Sequence, residues 1–486
     1  MIYRLRPYQE ECVKSISDYI NSDRHDPVLV IGPVGCGKSI LIAEAARLMG
    51  DKTLILQPSR ELLIQNYCKL TSYGIPATIY SASCGKKELS NMIYATLGSI
   101  KKVVGQLKEM GIRNVLIDEA HAGYSPEDGS EFMTFMNELK PRKVIGFTAT
   151  PCRLKNMSIG QTSYSQLNFI TRMRPVYFKN LIHVIQVEEM IRQGFWTPLK
   201  YETWDFNGDA LKLNSNGSEY TAESISEAVR KNGLNNLILR RLMILKNSCK
   251  SILVFMDSVE SCNTAARWMN DHIRSGIADV VHGGTPKKQR EAIVERFKSG
   301  GTQVVFNYSA LGTGFDHPGL DCVIVGRPTF SFSSFYQWLG RAVRIKDGKD
   351  SALVVDCCNN SSRFGDIREL SIENYKGYGW GMFIGDKLIT NIPMGDKVTK
   401  TDLDIKAAKK DRRRELAQGV TAAPIPGRPP HPLGSTVMAF GKYSGWMLHS
   451  IPVSYFKFIN ETFDWDNDRN KDIKEYIDFL IKNNRL

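Results

Sequence analysis

The sequence lacks a long apolar run, a paired-cysteine motif and an apolar segment near its start. No stretch approaches the roughly 18 apolar residues that a membrane-spanning helix needs. Residues 1–6 lead into a proline and then charge, so they do not form the core of a secretory signal peptide. The ten cysteines are scattered, and none has the C-x-x-C spacing of a zinc ribbon. These absences predict a cytoplasmic protein with reduced thiols and no membrane contact.

The length and the charge balance limit the classes that remain. A chain of 486 residues exceeds one ordinary hydrophobic core and predicts two to four domains. Hydrophobic residues at 42% and charged residues at 24% are typical of a globular protein and exclude a disordered one. The excess of 64 Lys and Arg over 51 Asp and Glu gives a net charge of +13, which suits a polyanionic partner. Many basic proteins bind no nucleic acid, so charge alone leaves the partner open.

Strand and helix patterns alternate along most of the chain, which predicts an α/β fold with parallel sheets covered by helices. Two series of short apolar segments are the predicted strands, at residues 28–31, 53–56, 115–117 and 144–147, and at 252–255, 279–281, 304–306, 322–325 and 353–355. The alternation stops after Asp356. A Gly-rich stretch at 361–400, a charged helix at 402–416 and a Pro-rich linker at 422–432 are predicted next, before a small terminal block.

Residues 32–39, GPVGCGKS, fit the phosphate-loop pattern between a predicted strand and a predicted helix. Glycines at 32, 35 and 37 let the backbone curl round phosphate, and the helix N-terminus directs N–H groups at the anion. Lys38 is expected to reach the β- and γ-phosphates, and the Ser39 hydroxyl to hold Mg²⁺. Cys36 is interpreted as a spacer within the loop. The motif predicts that ATP and Mg²⁺ are the cofactors, bound through Gly32, Gly35, Cys36, Gly37, Lys38 and Ser39.

An acidic pair, Asp118 and Glu119, ends the predicted strand at 115–117. A carboxylate there can hold Mg²⁺, and its neighbour can orient and deprotonate the attacking water. Acidic pairs at strand ends are common, but downstream of a phosphate loop this one is the expected catalytic partner. His121 is either part of this site or a helix-start residue without a chemical role.

With these two motifs the chain resembles superfamily 2 helicases of the DEAH-lettered kind, and further signatures follow in the family's order. They are RPYQ at residues 6–9, PSREL at 58–62, ATLGS at 95–99, TATP at 148–151, GTGFD at 312–316 and QWLGRAVR at 337–344. The match covers about residues 3–356 and implies two tandem RecA-like parallel-sheet domains plus a small C-terminal module. The first RecA-like domain is expected at residues 1–175 and the second at 176–360. A connector is expected at 361–432 and the C-terminal module at 433–486.

The resemblance also implies residue roles. Arg6 and Gln9 would read adenine, Gly314 and Asp316 would touch the nucleotide, and residues 148–151 would link hydrolysis to strand movement. The expected contacts to the nucleic-acid backbone are Arg60, Thr96, Ser99, Ser309 and Thr313, and each of these residues could instead cap a helix. The motif sequences are most similar to those of bacterial RadD-type repair helicases, and phage branch-migration helicases are the next comparison. The Cys-rich zinc tail of the RadD type is absent, so its role does not carry over.

Gln337, Arg341 and Arg344 complete the predicted catalytic set. Residues three apart share a helical face, so both guanidinium groups are expected to enter one cleft. Arginine forks suit phosphate, and an arginine finger stabilises charge on the transferring γ-phosphoryl group. Because these arginines belong to the second domain, catalysis is expected to require closure of the two domains.

The C-terminal parts have two interpretations each. The basic run at 406–414 is either a solvated helix face or a DNA-gripping helix. The block from 433 resembles a small module attached to some nucleases and phage replication proteins. Its Tyr443, Trp446 and Tyr455 either stack on bases or form a miniature core.

The sequence thus predicts an ATP-dependent DNA helicase or translocase that acts on branched or forked DNA in recombination, repair or replication. An RNA helicase is the alternative, and a binding scaffold without hydrolysis is a third hypothesis that the presence of Lys38, Glu119 and both arginines disfavours. The expected protein is a monomer in a bacterial or phage-infected cell. It would bind branched, forked or single-stranded DNA, with recombination or replication proteins as further partners.

Overall fold

The computed structural model of the protein describes residues 4–50, 52–159, 162–311, 315–408, 431–462, 465 and 470–486. The chain divides into two compact units, Met1–Tyr375 with Gly379–Val398, and Lys376–Tyr378 with Thr399–Leu486. Both predicted α/β domains lie in the first unit, and the finer division into four domains stays a prediction. Within the described ranges, no helix combines the length and the apolar character that crossing a membrane requires.

The first lobe, residues 4–184, is built on an eight-stranded sheet of order β10-β1-β7-β6-β2-β5-β3-β4. Its pairs are parallel apart from β3 with β4. The strands are β1 Val28–Ile31, β2 Thr53–Leu56, β3 Thr78–Ser81, β4 Lys86–Lys87, β5 Met92–Ala95, β6 Asn114–Ile117, β7 Lys143–Thr148 and β10 Asn180–Val184. The strands β8 Cys152–Ile159 and β9 Thr162–Phe169 form a separate antiparallel hairpin.

Helices cover both faces of this sheet. They are α1 Pro7–Asn21, α2 Lys38–Met49, α3 Arg60–Thr71, α4 Leu97–Ile100, α5 Val104–Glu109, α6 Glu131–Leu139 and α7 Val187–Arg192. Alternate residues of β2 enter different hydrophobic clusters, with Ile55 on one face and Leu54 and Leu56 on the other. Burial on both faces explains why the strands read as continuous apolar runs.

The second lobe, residues 199–356, carries a six-stranded parallel sheet of order β11-β16-β15-β12-β14-β13. The strands are β11 Leu199–Thr203, β12 Ile252–Phe255, β13 Ala278–His282, β14 Val304–Tyr308, β15 Cys322–Val325 and β16 Ala352–Asp356. The helices are α8 Ala222–Lys231, α9 Leu234–Leu245, α10 Val259–His272, α11 Lys287–Ser299, α12 Phe332–Leu339 and, just beyond the lobe, α13 Asn360–Phe364. The predicted α/β class with two parallel-sheet domains is confirmed.

The edge strand β10 belongs to the sheet of the first lobe, although it lies beyond residue 175, where the first domain was expected to end. Its residues pair in parallel with Val28–Ile31. They are half-buried or exposed, so the segment has no continuous apolar run by which a strand could be recognised.

The Gly-rich stretch at 361–400, which the sequence predicted as part of a connector, contains short strands. It holds a small sheet of β17 Leu370–Tyr375, β18 Gly379–Ile384, β19 Lys387–Leu388 and β20 Val398–Thr399, in that order. β17 and β18 pair antiparallel over six residues. Glycines sit where the chain reverses, as at Gly385 with φ +60° between β18 and β19. Turn glycines between short strands resemble a linker when only composition is considered.

The second unit has a small core of its own. Helices α14 Val453–Thr462 and α15 Lys471–Lys482 contribute most of its buried side chains. Tyr443, Trp446 and Tyr455 are half-buried and pack on that core, as the miniature-core interpretation expects. Residues 400–408 are helical, whereas the rest of the predicted charged helix and most of the basic run lie outside the described residues, as does nearly all of the Pro-rich linker.

Candidate nucleotide site

The phosphate loop connects β1 to α2, where the sequence places it. Gly35 and Gly37 have φ values of +83° and +81°, a backbone region that side-chain-bearing residues rarely enter. Gly37 is the residue before the first turn of α2, so the free N–H groups of that helix face the loop. A Cβ at Gly37 would lie 2.5 Å from Nε2 of Gln9. The loop therefore has both the curvature and the N–H groups that an anion site requires.

The acidic pair stands opposite the loop at the end of β6. Nζ of Lys38 bonds Oε1 of Glu119 and lies 3.7 Å from Oδ1 of Asp118. The backbone N–H of Glu119 donates to Oδ1 of Asp118 at 2.9 Å. Glu119 itself has a φ of +47°, which is unusual for a non-glycine residue and typical of functional sites. The three side chains that the sequence assigned to chemistry are thus brought together.

The surroundings shift the pKa values of Asp118 and Glu119 in opposite directions. Burial raises the pKa of Asp118 to about 6, and Lys38 opposes that shift. Burial also acts to raise the pKa of Glu119, but the positive field of Lys38 outweighs it and holds that pKa below its ordinary value. Glu119 is therefore ionised near neutral pH, which is the state that a general base requires.

A cavity of about 410 Å³ separates the two lobes at this point. The first lobe contributes Lys38, Ser39 and Glu119, and the second lobe contributes Asp316, Gln337, Arg341 and Arg344. Gly340 and Val34 bring the two lobes into close contact beside the cavity, since a Cβ at Gly340 would lie 2.6 Å from Val34. The catalytic residues predicted from both halves of the chain, apart from the buried Asp118, line this one cavity.

The two arginines converge on one backbone carbonyl. Nη1 of Arg341 and Nη1 of Arg344 donate to the Phe315 oxygen at 2.6 Å and 2.9 Å. Nε of Arg344 is also 3.0 Å from Oδ1 of Asp316. The expectation that both arginines lie on one helix was wrong, because α12 ends at Leu339, Arg341 lies in the turn that follows and Arg344 lies in the irregular segment after it. Burial lowers the pKa of Arg341 to about 9, so its charge is held in a poorly solvated position.

The predicted adenine readers make local contacts. Nε2 of Gln9 donates to the Cys36 carbonyl at 2.8 Å, and its Oε1 accepts from the Arg6 N–H at 3.0 Å. The Arg6 guanidinium stands 4.6 Å above the ring of Phe195. Gln9 therefore contacts the phosphate loop directly, and the role of both residues toward adenine stays a prediction. Burial raises the pKa of the Cys36 thiol to about 12, which suits a spacer.

The indole of Trp196 joins the loop to the segment that enters the second lobe. Its Nε1 donates to the Val34 carbonyl at 2.7 Å, and the ring is only 2% exposed. The next residue, Thr197, donates hydrogen bonds to the second lobe, from its N–H to the Val343 carbonyl and from its Oγ1 to the Arg344 carbonyl. One short segment thus contacts both the phosphate loop and the arginine turn. The sequence motifs did not include it.

His121 is more than a helix-start residue. Its Nδ1 lies 2.8 Å from Oγ1 of Thr148, and its Nε2 lies 3.2 Å from Oγ of Ser333 in the second lobe. Oγ1 of Thr150 is also 3.2 Å from that serine. Ser333 was missed, although its position four residues before Gln337 places it one helical turn away from a predicted site residue.

The predicted nucleic-acid contacts lie apart from this cavity. Oγ1 of Thr96 donates to Oγ of Ser99 at 3.1 Å, and Oγ of Ser99 accepts from the Ala82 N–H at 3.0 Å. Arg60 lines a separate groove of about 330 Å³ together with Arg290. Ser309 has a left-handed φ of +52°. Thr313 and Gly314 lie outside the described residues, and the roles of the others stay predictions.

The residues at the cavity fit Mg²⁺ that is held mainly by nucleotide. In the parts of the chain that the structure describes, no group of three or more acidic, His or Cys side chains could hold a metal alone. Mg²⁺ in phosphate sites takes only one or two protein oxygens and completes its shell with phosphate and water. Oε2 of Glu119 is buried without a hydrogen-bond partner among the described residues, so it can accept a bond from a water or ligand in the cavity.

Two protein-family models match the two lobes. Residues 2–153 match the family described as type III restriction enzyme, res subunit, and residues 234–346 match the helicase conserved C-terminal domain. Residues 154–233, between the two matched ranges, lie outside both models.

Individual relatives are distant. The chain is 24% identical over 379 residues to the proposed ATP-dependent helicase IRC3 of Saccharomyces cerevisiae, with 74% of this chain and 52% of that protein covered. It is 26% identical over 332 residues to the 51.5 kDa protein of a Lactococcus phage, with 68% and 65% covered. The matched region therefore spans about half to two thirds of these relatives.

Solved structures support the fold alone. A fragment of a proposed HsdR subunit of a type I restriction enzyme from Vibrio vulnificus aligns with a TM-score of 0.55 at 18% identity, covering 75% of this chain and 66% of that one. The ATP-dependent type ISP restriction-modification enzyme LlaBIII, solved bound to DNA, aligns with a TM-score of 0.53 at 15% identity, covering 87% and 31%.

Proposed function

We propose that this chain, whose two lobes match a type III restriction enzyme res-subunit family and the helicase conserved C-terminal domain, is an ATP-driven DNA helicase or translocase acting on branched or forked DNA. The observation that carries the proposal is the single cavity lined by Lys38 and Glu119 of one lobe and Arg341 and Arg344 of the other. A site divided between two lobes can change its grip on a strand as it closes on ATP and reopens. We favour the RadD-type and phage branch-migration helicases as its subgroup, because the motif sequences resemble theirs.

The chemistry follows from the residues around the cavity. The N–H groups at the start of α2 and the Lys38 amine would bind the β- and γ-phosphates. Glu119, ionised near neutral pH, would orient the attacking water and accept its proton. Mg²⁺, with Ser39 and Asp118 as its protein oxygens, would neutralise phosphate charge.

The arginines supply the step that depends on both lobes. Arg341 and Arg344 are now satisfied by the Phe315 carbonyl and by Asp316. The γ-phosphate offers a stronger, doubly charged acceptor, so closure on ATP would transfer at least one guanidinium to it. Such a finger is worth roughly 10³ to 10⁵ in rate. ATP turnover and movement of the second lobe are coupled by this exchange of partners.

The nucleic-acid part of the proposal rests on three supports. The chain has a net charge of +13, its motif segments at 58–62 and 95–99 match the family's strand-holding segments, and a structural neighbour was solved bound to DNA. We propose recombination, repair or replication as the setting, with a monomer as the working form. We propose the cytoplasm of a bacterial or phage-infected cell as its location, which the phage relative supports.

ATPase assays with different polynucleotides test the proposal. Turnover is measured with single-stranded DNA, forked DNA, a four-way junction, linear duplex and RNA at one salt concentration. We expect branched DNA to stimulate most, and Lys38→Ala to abolish turnover while binding DNA without nucleotide, because the strand path does not use Lys38. Equal stimulation by RNA and by junction DNA would replace the branched-DNA proposal with an RNA helicase. Turnover above a few per cent in Lys38→Ala would remove the loop from the mechanism.

A further inference from the structure

Asn66 carries a buried side-chain amide on α3, the helix that begins at Arg60, a predicted contact to the nucleic-acid backbone. α3 begins after Ser59, whose Oγ accepts from the Leu62 N–H at 3.3 Å, and Arg60 is its first residue. Asn66 lies almost two turns further on and is only 1% exposed. Leu62, Gln65 and Lys69 of the same helix line the nucleotide cavity. One rigid element therefore reaches from the strand-binding segment to the nucleotide site.

The contacts of Asn66 are directed at a catalytic carboxylate. Its Nδ2 donates to Oδ2 of Asp118 at 2.9 Å and to Oε1 of Gln57 at 3.1 Å. Its Oδ1 is buried and has no hydrogen-bond partner among the residues described. A half-satisfied amide in a core destabilises the fold relative to an apolar side chain of similar size. The amide is therefore explained better by what it does to Asp118 than by packing.

The bond from Asn66 fixes which way the Asp118 carboxylate faces. Oδ2 is occupied by Asn66, so Oδ1 is the oxygen that accepts the Glu119 N–H and faces Lys38. Asp118 is itself only 2% exposed, so no solvent competes for that orientation. A shift or tilt of α3 would carry the amide with it and turn the carboxylate.

We propose that Asn66 is a positioning residue that orients Asp118 and transmits strand binding at the start of α3 to the nucleotide site. The proposal rests on the function proposed above, because it takes Asp118 as an oxygen toward Mg²⁺-nucleotide. Binding of a strand at Arg60 would shift α3, Asn66 would move with the helix, and Asp118 would reorient.

Nucleotide affinity with and without metal measures the orienting role directly. The probe is N-methylanthraniloyl-ADP, titrated by fluorescence with Mg²⁺ and again with EDTA. Asn66→Ala and Asn66→Leu are expected to lose about three- to tenfold of the affinity gained from Mg²⁺, the range for one hydrogen bond of ordinary strength. Their affinity in EDTA should match the wild type, which also shows that they are folded. Cys68→Ala, an exposed position on the same helix, is the control.

A double-mutant cycle separates an effect through Asp118 from a general disturbance of the helix. In an Asp118→Asn background the amide has no carboxylate to orient, so Asn66→Ala is expected to change the Mg²⁺-dependent affinity by less than twofold. The same loss in both backgrounds would overturn the proposal, as would an unchanged Mg²⁺ effect in Asn66→Ala alone.

Stimulation of turnover tests the transmitting role. We expect forked DNA to stimulate the kcat of Asn66→Ala about three- to tenfold less than that of the wild type, beyond any rise in the KM for Mg²⁺-ATP that the weaker metal-dependent affinity causes without DNA. A normal stimulation ratio would overturn transmission through Asn66. If the wild-type protein itself shows no stimulation by any polynucleotide, the proposed function fails, and the Mg²⁺ titration still decides the orienting role.

Discussion

Ser333 and His121 lie 3.2 Å apart, Oγ to Nε2, although they belong to different lobes. The same serine meets Thr150 at 3.2 Å, and the histidine meets Thr148 at 2.8 Å. Burial lowers the pKa of His121 to about 4, so near neutral pH the ring donates through one nitrogen and accepts through the other. The acidic motif, the threonine segment and the second lobe are therefore joined by one hydrogen-bonded chain.

We expect Ser333→Ala to weaken the coupling between strand binding and ATP turnover. The change removes the contact of the second lobe with both His121 and Thr150, so DNA-stimulated kcat should fall about three- to tenfold with little change in KM. Ser333→Thr keeps the hydroxyl and should restore most of the rate. Ser334→Ala, whose hydroxyl bonds only within the helix start, is the matched control. Identical losses in Ser333→Ala and Ser334→Ala would assign the effect to the helix and not to the bond.

Glu119→Gln should separate nucleotide binding from hydrolysis. The amide keeps the size of the side chain but cannot accept the proton of water, so turnover should fall roughly 10²- to 10⁴-fold. Equilibrium binding of Mg²⁺-ATP should persist and could tighten, since a negative charge opposite the phosphates is removed. A variant that lost affinity and kept its rate would show that Glu119 holds nucleotide and is not the base.

Arg344→Ala is expected to spare ATP binding more than turnover. Its guanidinium now bonds Phe315 and Asp316, and it would contribute to the phosphate mainly after the lobes close. Single-turnover hydrolysis and ATP affinity are measured side by side, with a fall in rate of at least about 10²-fold expected. Arg344→Lys keeps the charge without the planar fork and should recover little of the rate. Full activity in Arg344→Lys would mean that only charge is needed there.

The basic run is expected to supply part of the preference for branched DNA. Removing everything after Asp356 is unsuitable as a test, because Phe364, Leu370 and Met382 belong to the core of the first unit. Replacing Lys409, Lys410, Arg412, Arg413 and Arg414 with glutamine in the full chain avoids that problem. Each lost phosphate contact should reduce the slope of log K against log salt by about 0.9. Unchanged slopes for a four-way junction would assign the run to a solvated face.

His317 makes stability depend on pH in a defined direction. Burial, aided by Lys346, lowers the pKa of His317 to about 4, and its Nε2 lies 2.8 Å from Oγ of Ser251. Between pH 6.5 and 4 the unfolded chain binds a proton there that the folded chain excludes, so stability falls as the pH falls. Each such proton is worth up to about 1.4 kcal/mol per pH unit.

His317→Gln keeps a hydrogen-bonding group and removes the titration. Its thermal midpoint should fall less than that of the wild type between pH 7 and pH 5, whatever its stability at pH 7. His121 has a similarly lowered pKa, so part of the pH dependence should remain. If the thermal midpoint fell equally in both proteins, the folded chain would protonate His317 as readily as the unfolded chain does.

Much of the fold could be predicted from the sequence because its central strands are buried on both faces. Val28–Ile31 and Ile252–Phe255 are continuous apolar runs that end at Gly- or charge-bearing loops, and the structure places strands at both. The edge strand β10 and the hairpin of β17 and β18 were missed, because partly exposed strands mix polar with apolar residues. Most parallel central strands therefore leave a clear signal, but the buried strand β5 Met92–Ala95 inside the first sheet was missed as well.

The candidate site was predictable where chemistry fixes both the residue type and the spacing, as for Lys38 and Glu119. Asn66 and Ser333 were missed because they act through neighbours that are distant in the chain, and nothing in their own surroundings marks them. Arg341 and Arg344 were identified correctly as cavity residues but placed on a helix that ends before them. Residue spacing predicts which groups converge only when the local secondary structure is right.

The indole of Trp196, bonded to the Val34 carbonyl of the phosphate loop, provides the protein with an optical probe of its own. Indole emission depends on the polarity and the hydrogen bonding around the ring, and this ring has almost no access to water. A loop that tightens on phosphate would disturb that bond and change the emission within the time of binding. The difference between the wild type and Trp196→Phe isolates this signal from the other six tryptophans. Rapid mixing could then show whether nucleotide or strand engages first, without attaching a dye to either.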